Sequence, residues 1–164
     1  MIPRPSRLAL LLGVLLVPPA SARSAGEVPT DTLRSAPEAP DSLRPAVVFA
    51  SIERAWVTGD AAAVVQQFGK RKAYISLPDG GPQGGHFSRD QSYFILKDFF
   101  DGTRTEEFSF VTIRAPEEDR NSAIGQAVRS FRRRNSSRML QDRIFVSLVL
   151  EDARWVVSEI RAVR

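Results

Sequence analysis

His86 is the only histidine of the chain, and it lies close to Ser88 and Asp90 in the stretch GGHFSRD. A catalytic triad needs a base that reaches the nucleophile while a third group orients that base. Three residues so close along one chain rarely reach this geometry, so the pattern favours an exposed loop histidine. With one histidine and no cysteine, only carboxylates remain as metal ligands, and no run matches a calcium loop. The sequence therefore predicts no metal site and no cofactor.

A set of arginines surrounds the turn RRRNSSR and could bind anions. Guanidinium groups gathered on one hairpin can hold phosphate, anionic lipid headgroups or an acidic partner. Only Phe131 is interleaved as a stacking platform, so nucleic acid is not expected as a partner. A solvated turn whose charges protect a strand edge is the simpler explanation. The candidate anion or partner contacts are Arg129, Arg132, Arg133, Arg134 and Arg138.

Residues 1–22 have the three parts of a secretory signal peptide: two arginines, a ten-residue apolar run and an A-x-A motif that ends at Ala22. We expect cleavage between Ala22 and Arg23 and a protein that is exported to the periplasm or the extracellular space. The apolar run is too short to span a bilayer comfortably. No transmembrane segment is therefore expected after removal of the signal, although an uncleaved anchor is the alternative.

Residues 23–44 are rich in Pro, Ala, Ser and Glu, without periodicity. Such a segment has too few large apolar side chains to offset the entropy of ordering, so we expect a disordered linker. Removal of the signal would also remove Arg4 and Arg7, leaving 21 basic against 19 acidic residues. The formal charge of +4 for the whole chain thus overstates the case for an anionic partner.

The clearest folded element is a central helix from Ser88 to Gly102. Ser88 and Gln91 form an S-x-x-Q capping box at its start, and Gly102 can adopt the left-handed conformation that ends a helix. Its apolar face must be covered by other elements; that face comprises Ile95, Leu96, Phe99 and Phe100.

Two helices are predicted before it, from Pro45 to Gly59 and from Ala61 to Phe68, followed by an alternating strand over residues 70–77. After Gly102 the pattern changes to strands with short connections, which favours an antiparallel meander. These strands cover residues 105–113, 122–132, 138–150 and 153–163. The order predicts an α+β domain over residues 45–164, with N-terminal helices packed on a curved antiparallel sheet.

This order of elements, with the phrases TGDAAAVVQQF, KDFF and RWVVSEIRAV, resembles the nuclear-transport-factor-two-like superfamily. Within that superfamily the chain looks most like a group of small exported bacterial domains of unknown function. The resemblance implies a cone-shaped fold with a cavity between the bent sheet and the helices. It implies no activity, because this fold serves enzymes, carriers and binding modules alike.

The implied cavity suggests a small apolar ligand, although aromatic residues at strand and helix spacing belong more often to a core than to a pocket. The candidate ligand contacts are Tyr74, Phe100, Phe110 and Trp155. Enzymes that the fold resembles place an Asp or a His–Asp pair inside the cone. No histidine lies on the predicted strands or helices, which leaves Asp98, Tyr74 and Tyr93 as weak acid–base candidates.

We therefore expect a non-catalytic binding module for a small apolar ligand or a protein partner. The alternative is a lyase or isomerase that acts on a small hydrophobic substrate in the cone. A third hypothesis is a homodimer that forms through the outer face of the sheet.

Overall fold

The computed structural model of the protein describes residues 44–77, 83–115 and 120–163. The predicted signal peptide, its cleavage point between Ala22 and Arg23, and the linker up to residue 43 lie outside the described residues. Within the described ranges the elements are α1 (Pro45–Thr58), α2 (Ala61–Val65), β1 (Ala73–Ser76), β2 (Gly85–Phe87), α3 (Arg89–Gly102), β3 (Thr103–Arg114), β4 (Ser122–Arg133), β5 (Met139–Glu151) and β6 (Arg154–Val163). No helix in this part of the chain has the length and apolar character needed to cross a membrane.

The strands form one curved, open sheet in the order β2-β1-β6-β5-β4-β3. Strands β3 to β6 are the predicted antiparallel meander. β1 is shorter than predicted and runs parallel to β6, with Ile75 opposite Ile160. β2 was not predicted: His86 lies on this strand opposite Tyr74, not in a loop, although its side chain is exposed as expected.

The predicted helix boundaries hold at two positions. Ser88 Oγ accepts a hydrogen bond from the backbone N–H of Gln91 (3.3 Å), and Gln91 Oε1 accepts one from the N–H of Ser88 (3.0 Å), which completes the capping box of α3. Gly59 follows α1 with a φ of +69°, the left-handed conformation that glycine adopts at little cost.

Two other boundaries differ from the prediction. Gly102 is the last residue of α3 and is not left-handed, because the chain passes directly into β3 at Thr103, whose hydroxyl donates to the carbonyl oxygen of Phe99 (2.9 Å). The helix α2 ends at Val65 and does not reach Phe68, because Phe68 bridges to β6.

The helices cover one face of the sheet, and aromatic side chains fill the space between them. Trp56 is fully buried, with its ring centroid 5.3 Å from that of Phe100 and 5.0 Å from that of Phe108. A Cβ atom at Gly125 on β4 would lie 2.6 Å from the ring of Phe49, so the absence of a side chain there lets α1 approach the sheet.

Two register shifts in β3, one of them beside Phe110, bend the sheet around these helices. At the second shift the carboxylate of Glu53 on α1 accepts a hydrogen bond from the backbone N–H of Phe110 (3.2 Å). Through Glu53, α1 thus provides a hydrogen-bond acceptor for a backbone N–H group next to the register shift. The predicted cone-shaped α+β architecture, with N-terminal helices on a curved sheet, is confirmed.

Candidate functional site

A surface cleft of about 860 Å³ lies where the C-terminal ends of α1 and α3 meet the start of β3 and the end of β4. We call it the arginine cleft, because four arginines line it: Arg104, Arg132, Arg133 and Arg134. Its other lining residues include Val57, Phe100, Asp101, Thr103, Thr105 and Glu106. The cleft therefore combines a strongly charged rim with a small apolar surface.

The pairing of β3 with β4 brings these arginines together. Thr103 lies opposite Arg133, and Arg104 lies opposite Arg132. Beyond the end of β4, the backbone N–H of Arg134 donates to the carbonyl oxygen of Gly102 (3.0 Å), which ties the turn to the end of α3. The positions of the side chains thus follow from strand register and from one backbone hydrogen bond, not from a flexible loop.

Two carboxylates offset part of the positive charge of the cleft. Glu106 Oε1 lies 3.5 Å from Arg104 Nε and 3.7 Å from Arg132 Nε. Asp101 accepts a hydrogen bond from Lys97. This hydrogen bond and the positive charge of Lys97 hold the pKa of the Asp101 carboxyl below its ordinary value, and Arg134 makes a smaller contribution.

Four arginines against two carboxylates leave a formal excess of two positive charges among the lining residues. The C-terminal ends of α1 and α3 each add roughly half a negative charge from the aligned peptide dipoles of the helix. About one positive charge remains after both corrections, so an acidic ligand is favoured over a basic one.

Arg132, Arg133 and Arg134 of the predicted basic cluster line this cleft, whereas Arg138 does not. Arg138 is exposed on the same turn, where its backbone N–H donates to Ser136 Oγ (3.1 Å). Arg104 was missed by the sequence analysis, because its place beside Arg132 depends on the pairing of β3 with β4.

The prediction that Arg129 belongs to the exposed cluster is wrong. Its side chain is fully buried on the inner face of the sheet, directly opposite Asp142 on β5. Arg129 Nε donates to Asp142 Oδ1 (3.0 Å) and Nη2 donates to Oδ2 (2.6 Å). The guanidinium carbon lies 3.8 Å from the ring centroid of Phe131 and 4.5 Å from that of Phe99. The interior of the cone thus holds a bidentate ion pair between aromatic rings.

The comparisons with known proteins agree with this architecture. A family model described as a domain of unknown function (DUF4783) matches residues 49–162. The chain belongs to the DUF4783 family. No curated protein matches the sequence at a significant level.

Solved structures similar to this DUF4783 protein include two crystal structures from the same family. The protein from Bacteroides ovatus is 13% identical with a TM-score of 0.54, and the alignment covers 69% of this chain and 91% of that one. The protein from Bacteroides uniformis is 12% identical with a TM-score of 0.54, covering 69% and 93%. A chain whose name includes NTF2 is 12% identical with a TM-score of 0.51, covering 72% and 95%. At these identities the likeness shows the fold alone, and this is the fold that the predicted superfamily implies.

The four aromatic residues predicted to bind a ligand lie in different places in this DUF4783 protein. Phe100 and Phe110 belong to the aromatic cluster between the helices and the sheet. Tyr74 packs against His86 on the β1–β2 pair, with ring centroids 5.4 Å apart. Trp155 is buried at the start of β6, where it lies opposite Leu150 of β5. The structure therefore does not gather these four side chains around one ligand.

The three acid–base candidates are not brought together either. Asp98 is exposed on α3 and does not enter the cone, because the helix turns its Phe99 side inward. Tyr93 is half-buried beside Phe94, and Tyr74 lies on β1. Both oxygens of Asp142, the buried carboxylate, accept hydrogen bonds from Arg129. Within the described chain no group of carboxylate and histidine side chains is arranged to hold a metal ion.

Proposed function

We propose that this DUF4783 protein is an exported, non-catalytic binding module, and that its arginine cleft binds an acidic segment of a protein partner. The observation that carries the proposal is the convergence of four arginines from β3, β4 and the following turn on one cleft of about 860 Å³. Arginine clusters are a recurrent means of recognising acidic and phosphorylated peptides, because each guanidinium can bind a carboxylate through two parallel hydrogen bonds.

The concave shape of the cleft favours a peptide over a membrane surface. The arginines lie between two helix ends and the start of β3, where a flat layer of headgroups cannot follow the walls but a peptide can. The apolar edge formed by Val57 and Phe100 gives such a peptide a place for one apolar side chain next to its acidic residues. The preferred ligand is therefore a short acidic sequence with a neighbouring hydrophobic residue.

Export is proposed from the signal pattern of residues 1–22, and a periplasmic or extracellular location follows from it. The proposal predicts that the exported protein begins at Arg23. Intact mass spectrometry of protein purified from the bacterial envelope tests this, and a mass that still includes Met1 to Ala22 would contradict it.

The binding proposal is tested by fluorescence anisotropy with a labelled peptide of six glutamates and one leucine. The variant Arg133→Ala/Arg134→Ala should weaken binding about tenfold, because each exposed charge pair contributes up to about 1 kcal/mol. Arg138→Ala is the matched control: it removes a charge from the same turn but outside the cleft, and should change the affinity less than about twofold.

If the control weakens binding by as much free energy per charge removed as the cleft variant does, only net charge matters, and the proposal is overturned. A parallel sedimentation assay with vesicles that contain phosphatidylglycerol addresses the membrane alternative. If the protein binds these vesicles but not the peptide, and the cleft variant loses vesicle binding, the partner is a membrane and the peptide proposal is wrong.

A further inference from the structure

The arginine cleft lies along the free edge of the sheet. In the strand order β2-β1-β6-β5-β4-β3, the strand β3 comes last, so within the described chain one side of its backbone has no neighbouring strand. All of the residues 103–106 of β3 line the cleft. Successive side chains of a strand point to opposite faces, and the free edge is the boundary that both faces share. A cleft that contacts consecutive residues of β3 therefore lies against its edge.

The two sides of this edge differ in chemistry. Arg104 lies opposite Arg132. Both side chains are on the outer face, because Phe131, which precedes Arg132, is fully buried on the inner face. On the inner side the cleft is lined by Val57 and Phe100, from the C-terminal ends of α1 and α3. A chain segment along the edge would thus meet positive charge on one side and apolar surface on the other.

The helix α1 already occupies the edge farther along β3. The backbone N–H of Phe110 donates to the carboxylate of Glu53 on α1 (3.2 Å). A register shift between Thr105 and Glu107 also interrupts the regular pairing of β3 with β4, and such bulges keep long strands from adding to an edge. The edge that remains for a ligand is the short stretch 103–106. It suits a short peptide better than the whole β3 of a second copy.

We propose that an acidic peptide binds in the arginine cleft as a short added strand, whose backbone pairs with residues 103–106 of β3. This inference rests on the proposed function and adds to it the conformation and the sequence pattern of the ligand. Every second residue of an edge strand directs its N–H and C=O groups away from the sheet. About two residues of this stretch can therefore each donate and accept one hydrogen bond, as in other cases of strand addition.

An added strand fixes the pattern of the ligand, because residues opposite each other lie on the same face. The ligand residue opposite Arg104 lies on the outer face beside Arg132, so it is acidic. Glu106 approaches both arginines at Nε, and each guanidinium also has two terminal nitrogen atoms that can donate. The neighbouring ligand residues point towards Val57 and Phe100, so they are apolar. The preferred ligand therefore alternates acidic and apolar residues.

The first test measures the fluorescence anisotropy of labelled hexapeptides with the mature chain. Glu-Val-Glu-Val-Glu-Val should bind about tenfold more tightly than Glu-Glu-Glu-Val-Val-Val, since burial of one valine side chain suffices for this difference. The second peptide has the same composition but cannot place its charges and its valines on opposite sides of a strand. Equal binding of the two peptides would overturn the proposal.

N-methylation of each residue of the alternating peptide in turn tests the backbone pairing. A methyl group on an N–H that points to β3 removes a hydrogen bond and should weaken binding about tenfold. A methyl group on an N–H that points to solvent should change the affinity less than about twofold. The weakening should therefore recur at every second residue of the peptide.

Hydrogen exchange of the protein amides locates the pairing on β3. With the alternating peptide at about ten times its dissociation constant, the outward-pointing amides of residues 103–106 should exchange about tenfold more slowly. The amide of Phe110, which is bonded to Glu53, is the internal control and should not change. Protection of the edge that appears without peptide and grows with protein concentration would mean that a second copy covers β3, and would overturn the proposal.

Strand addition and the proposed function fail in different ways. The alternating peptide may be bound, and bound more weakly by Arg133→Ala/Arg134→Ala, while the N-methyl series shows no alternation. In that case the cleft binds acidic peptides in another conformation, so strand addition is wrong and the proposed function stands. If no acidic peptide binds at all, both are wrong.

Discussion

The buried pair of Arg129 and Asp142 gives the sharpest prediction on stability. Removing one partner leaves an uncompensated charge inside the core, whereas removing both leaves an apolar interior. The relevant variants are Arg129→Met, Asp142→Leu and their combination, because Met is close to Arg in volume and Leu has the branched shape of Asp. Both native side chains are buried, with side-chain exposures of 0% and 2%, so solvent cannot screen the remaining charge.

The size of the effect follows from that burial. Loss of one partner from a buried ion pair costs about 3–5 kcal/mol, a large share of the roughly 5–15 kcal/mol that stabilises a typical domain. Replacement of both partners by apolar residues is often neutral or stabilising by about 1–4 kcal/mol. Arg129 Nη1 has no hydrogen-bond partner among the described residues, which adds to the cost of the native pair. The double variant should therefore be at least as stable as the native protein.

Urea denaturation followed by tryptophan fluorescence measures the free energy of unfolding of each variant. With a slope of about 1.5 kcal/mol per molar urea, each single variant should lower the midpoint by roughly 2–3 M, and the double variant should restore it. The double-mutant cycle then gives the coupling between the two side chains. A single variant that costs less than about 1 kcal/mol would mean that water reaches the pair. A double variant as unstable as the sum of its singles would refute the reasoning.

Two further predictions concern other parts of the molecule. Gly125→Ala should lower the free energy of unfolding by about 1–3 kcal/mol, because the added Cβ would lie 2.6 Å from Phe49 and 2.7 Å from Phe110. Urea denaturation measures this change. The additional substitution Phe110→Leu should restore part of the lost stability. The hydrogen bond from Lys97 holds the pKa of Asp101 below its ordinary value of 3.8. The ion pair of these two side chains therefore stabilises the fold above pH 3.8, and this stabilisation is lost as the pH falls through the lowered pKa of Asp101. The difference in Tm between the native protein and Lys97→Met should therefore shrink towards zero at low pH, and a difference that persists there would contradict it.

The fold was largely predictable because its signals are local. The capping box at Ser88 and the left-handed Gly59 depend on only a few neighbouring residues, and strand alternation marks β3 to β6. The short strand β2 was missed, since three residues around His86 carry no periodic signal and pair with β1 only through the tertiary fold.

The buried pair of Arg129 and Asp142 was harder to predict than the fold. The charge of each side chain indicated exposure, whereas strand alternation indicated burial, and the charge was the stronger signal. Arg129 occupies the inward position between Ala127 and Phe131 on β4, so alternation alone placed it inside. Asp142 holds the corresponding inward position before Ile144 on β5. A single charged residue is not expected in a core, so the sequence predicts neither Arg129 nor Asp142 there. Each is compatible with burial only because the pairing of β4 with β5 places its partner opposite.

The buried pair also specifies how β4 and β5 align. A two-residue slip between β4 and β5 would keep every side chain on its own face, so the apolar pattern resists it only weakly. The slip would move Asp142 away from Arg129 to a position opposite Ala127 or Phe131 and leave two buried charges unpaired, at a cost of several kcal/mol. The buried pair thus fixes the register of the hairpin. The arginines of the cleft owe their position to a different pairing, because Arg132 and Arg133 lie opposite Arg104 and Thr103 of β3. The two pairings of β4 thus have separate roles: β5 supplies the partner of the buried arginine, and β3 places the exposed ones.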